Sequence, residues 1–165
     1  MFNFFKKNDI RVFDKDTIFA PISGTIKRLE DVDDAVFSQK MMGDGIVIVP
    51  DSDTIFAPTD GELVALFPTG HAVAIKASNG VEYIIHIGID TVNQKGKGFK
   101  ILSNNHGNVQ VGDKLVKLDL EYLNANCITD TIIVIQNSND FEIEILQHGH
   151  IKALEPLIKI TPRQH

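Results

Sequence analysis

The 165-residue sequence contains no tryptophan, two tyrosines and one cysteine, Cys127. A single cysteine excludes an intramolecular disulfide framework and suits a reducing cytosol. No apolar run approaches the roughly 20 residues that span a bilayer. The start, Met1-Phe2-Asn3-Phe4-Phe5-Lys6-Lys7, lacks the long apolar core of a secretory signal. Its phenylalanines are expected to pack back on the domain from a frayed end rather than to touch a membrane. Basic charge is also short. Sixteen Lys and Arg against 22 Asp and Glu leave a net charge of −6, which argues against a nucleic-acid surface and permits a basic protein partner. Helical patterning is scarce. The best candidate is 119–126, with Asp119 as its N-cap and Glu121 in the first turn.

What the chain does have is short runs rich in β-branched residues, separated by Gly, Pro, Asn and Asp about ten residues apart. That spacing predicts an all-β antiparallel sandwich or barrel. Strands are expected at 17–20, 24–29, 46–50, 54–57, 61–66, 71–76, 81–87, 114–118 and 131–136, with an end pair near 142–146 and 157–160. Residues 1–16 read as a flexible amino-terminal arm and 17–165 as one domain, since nothing marks a linker. One echo stands out. Ala20-Pro21-Ile22-Ser23-Gly24 recurs as Ala57-Pro58-Thr59-Asp60-Gly61, each time after Ile-Phe and before a new strand. Proline fixes φ and glycine permits a reversal, so the motif reads as one strand corner used twice.

The densest chemistry lies in residues 69–90, where two apolar runs flank Asn79-Gly80. This is the signature of a hairpin with a two-residue type I′ turn. That turn places Val73 opposite His86 and His71 opposite Gly88, so both histidines project from one face as diagonal neighbours roughly 7–8 Å apart at Cα. Gly88 would leave space for a ligand to approach. A three-residue connection would instead send the rings to opposite faces.

A neutral imidazole is a good nucleophile near pH 7 and can carry a phosphoryl group on one nitrogen, given a partner that fixes its tautomer at the other. A second histidine can supply a donor to the transferred oxygens, and Thr69 can orient His71. An incidental pair of strand histidines is the plain alternative. The apolar neighbours Ile84, Ile85 and Ile87 tilt the balance towards a docking patch. Two same-face histidines with Asp90 also fit a zinc site lacking a ligand, and spacing does not separate the two chemistries.

Thr69-x-His71-Ala72, the run Val81-Glu82-x-x-x-His86-Ile87-Gly88-Ile89-Asp90-Thr91-Val92, Gly96-x-Gly98-Phe99 and Met42-Gly43-Asp44-Gly45 resemble the glucose-class IIA component of the bacterial phosphoenolpyruvate:sugar phosphotransferase system. The twofold Ala-Pro-x-x-Gly corner and the Val109-x-Val111-Gly112-Asp113 turn before Lys114 fit as well, and the resemblance runs from Ala20 to about Ile160. It implies a β-sandwich of the barrel-sandwich hybrid type. It implies that His86 accepts a phosphoryl group at Nε2 from the phosphohistidine of HPr and passes it to a cysteine of the IIB domain of a sugar permease. His71 would steady the group and Thr69 would orient His71. Val36, Phe37, Met42, Phe67 and Ile84 match the family's apolar docking surface, and Asp34 and Asp90 its acidic rim. The chain would work in the cytoplasm and meet the membrane through the permease. No cofactor is required, although enterobacterial relatives hold zinc between the two histidines and a carboxylate of a regulated partner, which would place such an ion at His71 and His86.

Two departures from the family pattern are Gly70, where many members have Asn or Lys, and the absence of a longer amphipathic arm. His106, His148, His150 and His165 match no family position. His148-Gly149-His150 reads as an exposed turn rather than a metal pair. Two rivals remain: a zinc hydrolase of the lysostaphin type on the same hybrid fold, and a regulatory module that binds without transferring anything.

Overall fold

The computed structural model describes residues 13–164. The expectation for Met1–Lys7 lies outside them, as does most of the proposed arm; at its end, the Phe13 ring stands edge-on to Phe19 with centroids 4.8 Å apart. Fourteen strands follow in chain order: β1 Thr17–Phe19, β2 Gly24–Arg28, β3 Asp44–Pro50, β4 Thr54–Phe56, β5 Gly61–Leu66, β6 Ala72–Ala77 and β7 Glu82–Ile89 in the first half. The rest are β8 Phe99–Ile101, β9 Gly107–Val109, β10 Lys114–Leu118, β11 Ile128–Ile135, β12 Phe141–Ile145, β13 His150–Ile151 and β14 Pro156–Pro162. Two α-helices interrupt them, α1 Ala35–Ser38 and α2 Leu120–Asn126. Asp119 caps α2 as expected, its carboxylate accepting from the Tyr122 N–H at 3.1 Å.

Every pairing is antiparallel. An eight-stranded sheet runs β13-β2-β3-β11-β7-β6-β5-β9, and two three-stranded sheets, β1-β14-β12 and β4-β10-β8, supply the second layer. Between the layers lies the main core, in which Ile18, Ile48, Ile55, Ile85, Leu115, Ile133, Leu157 and Ile158 are fully buried. Tyr83 is sealed within it, and its hydroxyl pairs with the Thr59 hydroxyl at 2.7 Å.

The repeated corner is a structural repeat. Both copies follow the triplet Thr-Ile-Phe, as β1 and β4. The two copies also trade hydrogen bonds: the Phe19 N–H donates to the Pro58 carbonyl at 3.0 Å and the Phe56 N–H to the Pro21 carbonyl at 2.8 Å. Ala20 exchanges backbone bonds with Leu154 and Glu155, and Ala57 does the same with Gly112 and Asp113. Each proline lacks a donor and contributes its carbonyl to the other half.

The hairpin differs from expectation by one residue. Ala72 pairs with His86 and Val73 with Ile85, and Ser78, Asn79 and Gly80 form a three-residue connection. Gly80 has φ +95° while Asn79 does not lie at positive φ, so the type I′ turn does not form. The Gly80 N–H instead closes on the Ala77 carbonyl at 3.0 Å, a turn followed by one left-handed residue. Tertiary bonds select it: the Asn79 amide donates to the Lys15 carbonyl at 2.8 Å and the Asn137 amide to the Gly80 carbonyl at 3.0 Å.

Candidate functional site

On the face of the large sheet away from the main core, one row of opposed residues reads Lys27, Val47, Ile132, His86, Ala72 across five strands. A second, smaller apolar cluster builds on this row: Leu29, Val32, Phe37, Val47, Ile89, Ile132 and Val134. The segment 29–38 folds over it. Asp34 caps α1, accepting from the Val36 N–H at 2.9 Å, which sets Phe37 down on the sheet.

With the observed register, regular pleating would turn His71 to the core face, since it lies opposite Ile87, which faces the core. The rings nevertheless meet, their centroids 5.3 Å apart and nearly perpendicular. The reason is that β6 begins at Ala72, and His71 still belongs to the turn before it. Gly70 has φ +78° and its N–H bonds to the Phe67 carbonyl at 2.7 Å, so the pleat does not extend to His71. A Cβ at Gly70 would lie 2.8 Å from that of Phe99, which fills the space a side chain would need.

Each ring is held at Nδ1. In His86 this atom donates to the Gly88 carbonyl at 2.8 Å, and in His71 it pairs with the Thr69 hydroxyl. Among the described residues neither Nε2 has a hydrogen-bond partner. A carbonyl can only accept, so the His86 proton is fixed on Nδ1 and Nε2 keeps its lone pair. A hydroxyl donating to Nδ1 of His71 would leave that ring's proton on Nε2, as a donor.

Burial pushes the pKa of both rings below the ordinary imidazole value. In His86 the Gly88 bond and the carboxylates of Asp34 and Asp90 oppose the shift in part, and in His71 the neighbouring ring adds to it. Both histidines are therefore neutral at pH 7. Phe37 lies 5.1 Å from His86 and Phe67 stands edge-on to His71 at 5.4 Å.

The structure thus brings Thr69, His71, His86, Phe37 and Phe67 into contact, with Asp34 and Asp90 close enough to bias His86. Ile84 shares the His86 face, two residues away on β7. Phe67, against the His71 ring, and Val36, next to Phe37 on α1, are exposed at 41% and 43%. Met42 is also exposed, but it lines a neighbouring polar groove with Lys40, Asp44, Gln136 and Arg163. Gly88 does not make room for a ligand. It is buried at φ +83°, and a Cβ there would strike the Thr91 methyl at 2.4 Å and the Ile128 carbonyl at 2.8 Å. Sequence reasoning missed the Gly88 carbonyl as the partner of His86, and also missed the apolar floor of Leu29, Val32, Val47 and Ile132. His148 and His150 are both exposed, but His150 is not in a turn: it opens β13 opposite Thr25 and pairs with Asp51 at 2.7 Å. Among the described residues no three His, Cys, Asp or Glu side chains gather as a metal site.

The fold is thus an antiparallel β-sandwich with two neutral, Nδ1-anchored histidines on the apolar outer face of its large sheet, His86 partly exposed and His71 buried. Comparison with known proteins makes this specific. Residues 16–160 match the family model of the phosphoenolpyruvate-dependent sugar phosphotransferase system, EIIA 1, and the chain belongs to that family. It is 41% identical over 143 residues to the glucose-specific EIIA component of Staphylococcus epidermidis, covering 86% of this chain and 83% of that protein. It is 42% identical over 144 residues to the glucose-specific EIICBA component of Staphylococcus carnosus, of which it spans 21%. The glucose permease IIA from Mycoplasma capricolum superposes with a TM-score of 0.81 at 38% identity, covering 86% of this chain and 93% of that one. The chain is accordingly a phosphotransferase component, a phosphocarrier of the glucose class of IIA components. Among the described residues no helix is long and apolar enough to cross a membrane.

Proposed function

We propose that His86 is the residue that carries the phosphoryl group. The observation that supports this most directly is the Nδ1–H bond to the Gly88 carbonyl, which leaves Nε2 as the nucleophilic nitrogen on a partly exposed ring. Transfer would form the Nε2–P bond as the P–N bond of a donor phosphohistidine breaks, and the donor ring takes back that electron pair. In the second step the group leaves His86 for a cysteine thiolate of a IIB domain, and Nε2 regains its lone pair. His71, with its proton on Nε2, donates to the phosphoryl oxygens, and Thr69 holds His71 in that tautomer.

The donor in this reading is HPr, in the cytoplasm. The acceptor is the IIB domain of a sugar permease, which brings the chain to the membrane surface. Phe67, Val36 and Ile84, over the buried Phe37, offer an apolar contact that excludes water from a labile P–N bond, and Asp34 and Asp90 would meet basic residues of the partners. Met42, on the neighbouring groove, extends this surface. A zinc ion at the two Nε2 atoms would need its further ligand from a partner carboxylate.

The test is incubation with phosphoenolpyruvate, enzyme I and HPr, followed by addition of IIB. Wild type should take up acid-labile, alkali-stable label. His86→Ala should take up none, and His71→Gln should be labelled but fail to pass the label on. Label persisting on His86→Ala would end the assignment.

A further inference from the structure

We infer that Thr91 is a positioning residue for phosphoryl acceptance, holding the Gly88 carbonyl where it keeps the His86 proton on Nδ1. The inference rests on the reading of His86 as the acceptor. In a regular strand, carbonyls lie in the plane of the sheet while side chains stand out of it. A histidine therefore cannot reach the carbonyl two residues ahead unless the backbone leaves the strand. Here it does: Gly88 has φ +83° and Asp90 φ +56°. Two left-handed residues within three, one of them not glycine, hold such a conformation only when their surroundings impose it.

Thr91 imposes it from both sides of the turn. Its hydroxyl donates to the Ile87 carbonyl at 2.5 Å, just before Gly88. Its methyl occupies the place a Cβ of Gly88 would take. The side chain is 1% exposed, so water does not compete for the hydroxyl. The grip also extends to the second ring, because the N–H of the same Ile87 donates to the His71 carbonyl at 2.7 Å. One buried threonine thus ties the backbone beneath both histidines. Nothing in this role requires Thr91 to touch the phosphoryl group.

Imidazole 15N–1H correlation spectra of the unphosphorylated protein, above the titration of His86, report the tautomer. Wild type is expected to show His86 protonated at Nδ1. Thr91→Val keeps the shape and the methyl but removes the hydroxyl. It should give mixed tautomers at His86 and slow phosphoryl acceptance about tenfold or more, the usual effect of losing an orienting partner. Thr91→Ser, which keeps the hydroxyl, should stay close to wild type in both. If Thr91→Val does not fold, Thr91→Ala, which adds no bulk, is expected to show the same mixed tautomers. A wild-type tautomer and rate in the hydroxyl-free variants would overturn the inference, as would a Thr91→Ser protein as impaired as Thr91→Val. Because the tautomer is read without phosphate, failure of wild type to be labelled counts against the reading of His86 and leaves the Thr91 result standing.

Discussion

Ile85 and His86 are neighbours on β7 and face opposite sides of one sheet. Ile85 points into the large core between the layers, where it is fully buried among other isoleucines and leucines. His86 points to a thin apolar cluster roofed by a four-residue helix, and remains partly open to solvent. The comparison teaches that the two faces divide the work. The thick side supplies the stability that lets the thin side keep polar, neutral and reachable groups on an apolar floor.

The sharpest test of that division is to truncate each neighbour in turn. Ile85→Ala should cost about 2–5 kcal/mol in denaturant unfolding, as large-to-small core changes do, while the fraction that folds still accepts phosphate. His86→Ala should abolish labelling and cost about 1 kcal/mol or less, the worth of one hydrogen bond. If His86→Ala unfolded the protein and Ile85→Ala silenced it without loss of stability, the two faces would not be distinct.

A smaller effect is expected from Phe37→Ala, which opens the thin cluster. It should destabilise by about 3 kcal/mol and let water reach His86. The pKa of His86 would then move up towards the ordinary imidazole value, visible in an NMR titration. The burial shift has a stability consequence of its own. Because His86 titrates lower when folded than when unfolded, the unfolded chain binds more protons in the window below about pH 6.5. Stability should therefore fall as pH drops through that window, and His86→Gln should flatten the fall.

The smallest effect belongs to the acidic rim. Asp34→Asn and Asp90→Asn each remove a charge that holds the His86 pKa up, so each should lower it slightly and move the acid limb of the acceptance rate to lower pH. The changes should shrink as salt is added, since both groups reach solvent.

Much of this was legible in the sequence, for physical reasons that differ by element. The strands with long β-branched runs, the Asp119 cap and the doubled corner are local signals, and they appear where expected. The strands β8, β9 and β13 are two or three residues long and include Gly107 and Asn108, residues poor in strand preference, so only their tertiary partners make them strands. The meeting of the histidines was expected on a register that does not occur. Asn79 is claimed by the Lys15 carbonyl, which shifts the pairing by one, and the left-handed Gly70 restores the contact by taking His71 out of the pleat. No periodicity in the chain announces either event. The Gly88 carbonyl was equally hidden, because sequence patterns speak of side chains and this partner is backbone.

The crossed bonds between Phe19 and Pro58, and between Phe56 and Pro21, carry a consequence for how the molecule comes into being. Neither copy of the corner can finish its own ladder alone, and β1 must wait for β14, made some 140 residues later. During synthesis β1 and β4 therefore emerge long before their partners β14 and β10, while β2–β3 and β5–β6–β7 already have their neighbours at hand. Cutting the gene between the repeats should yield two fragments that regain shape only when mixed.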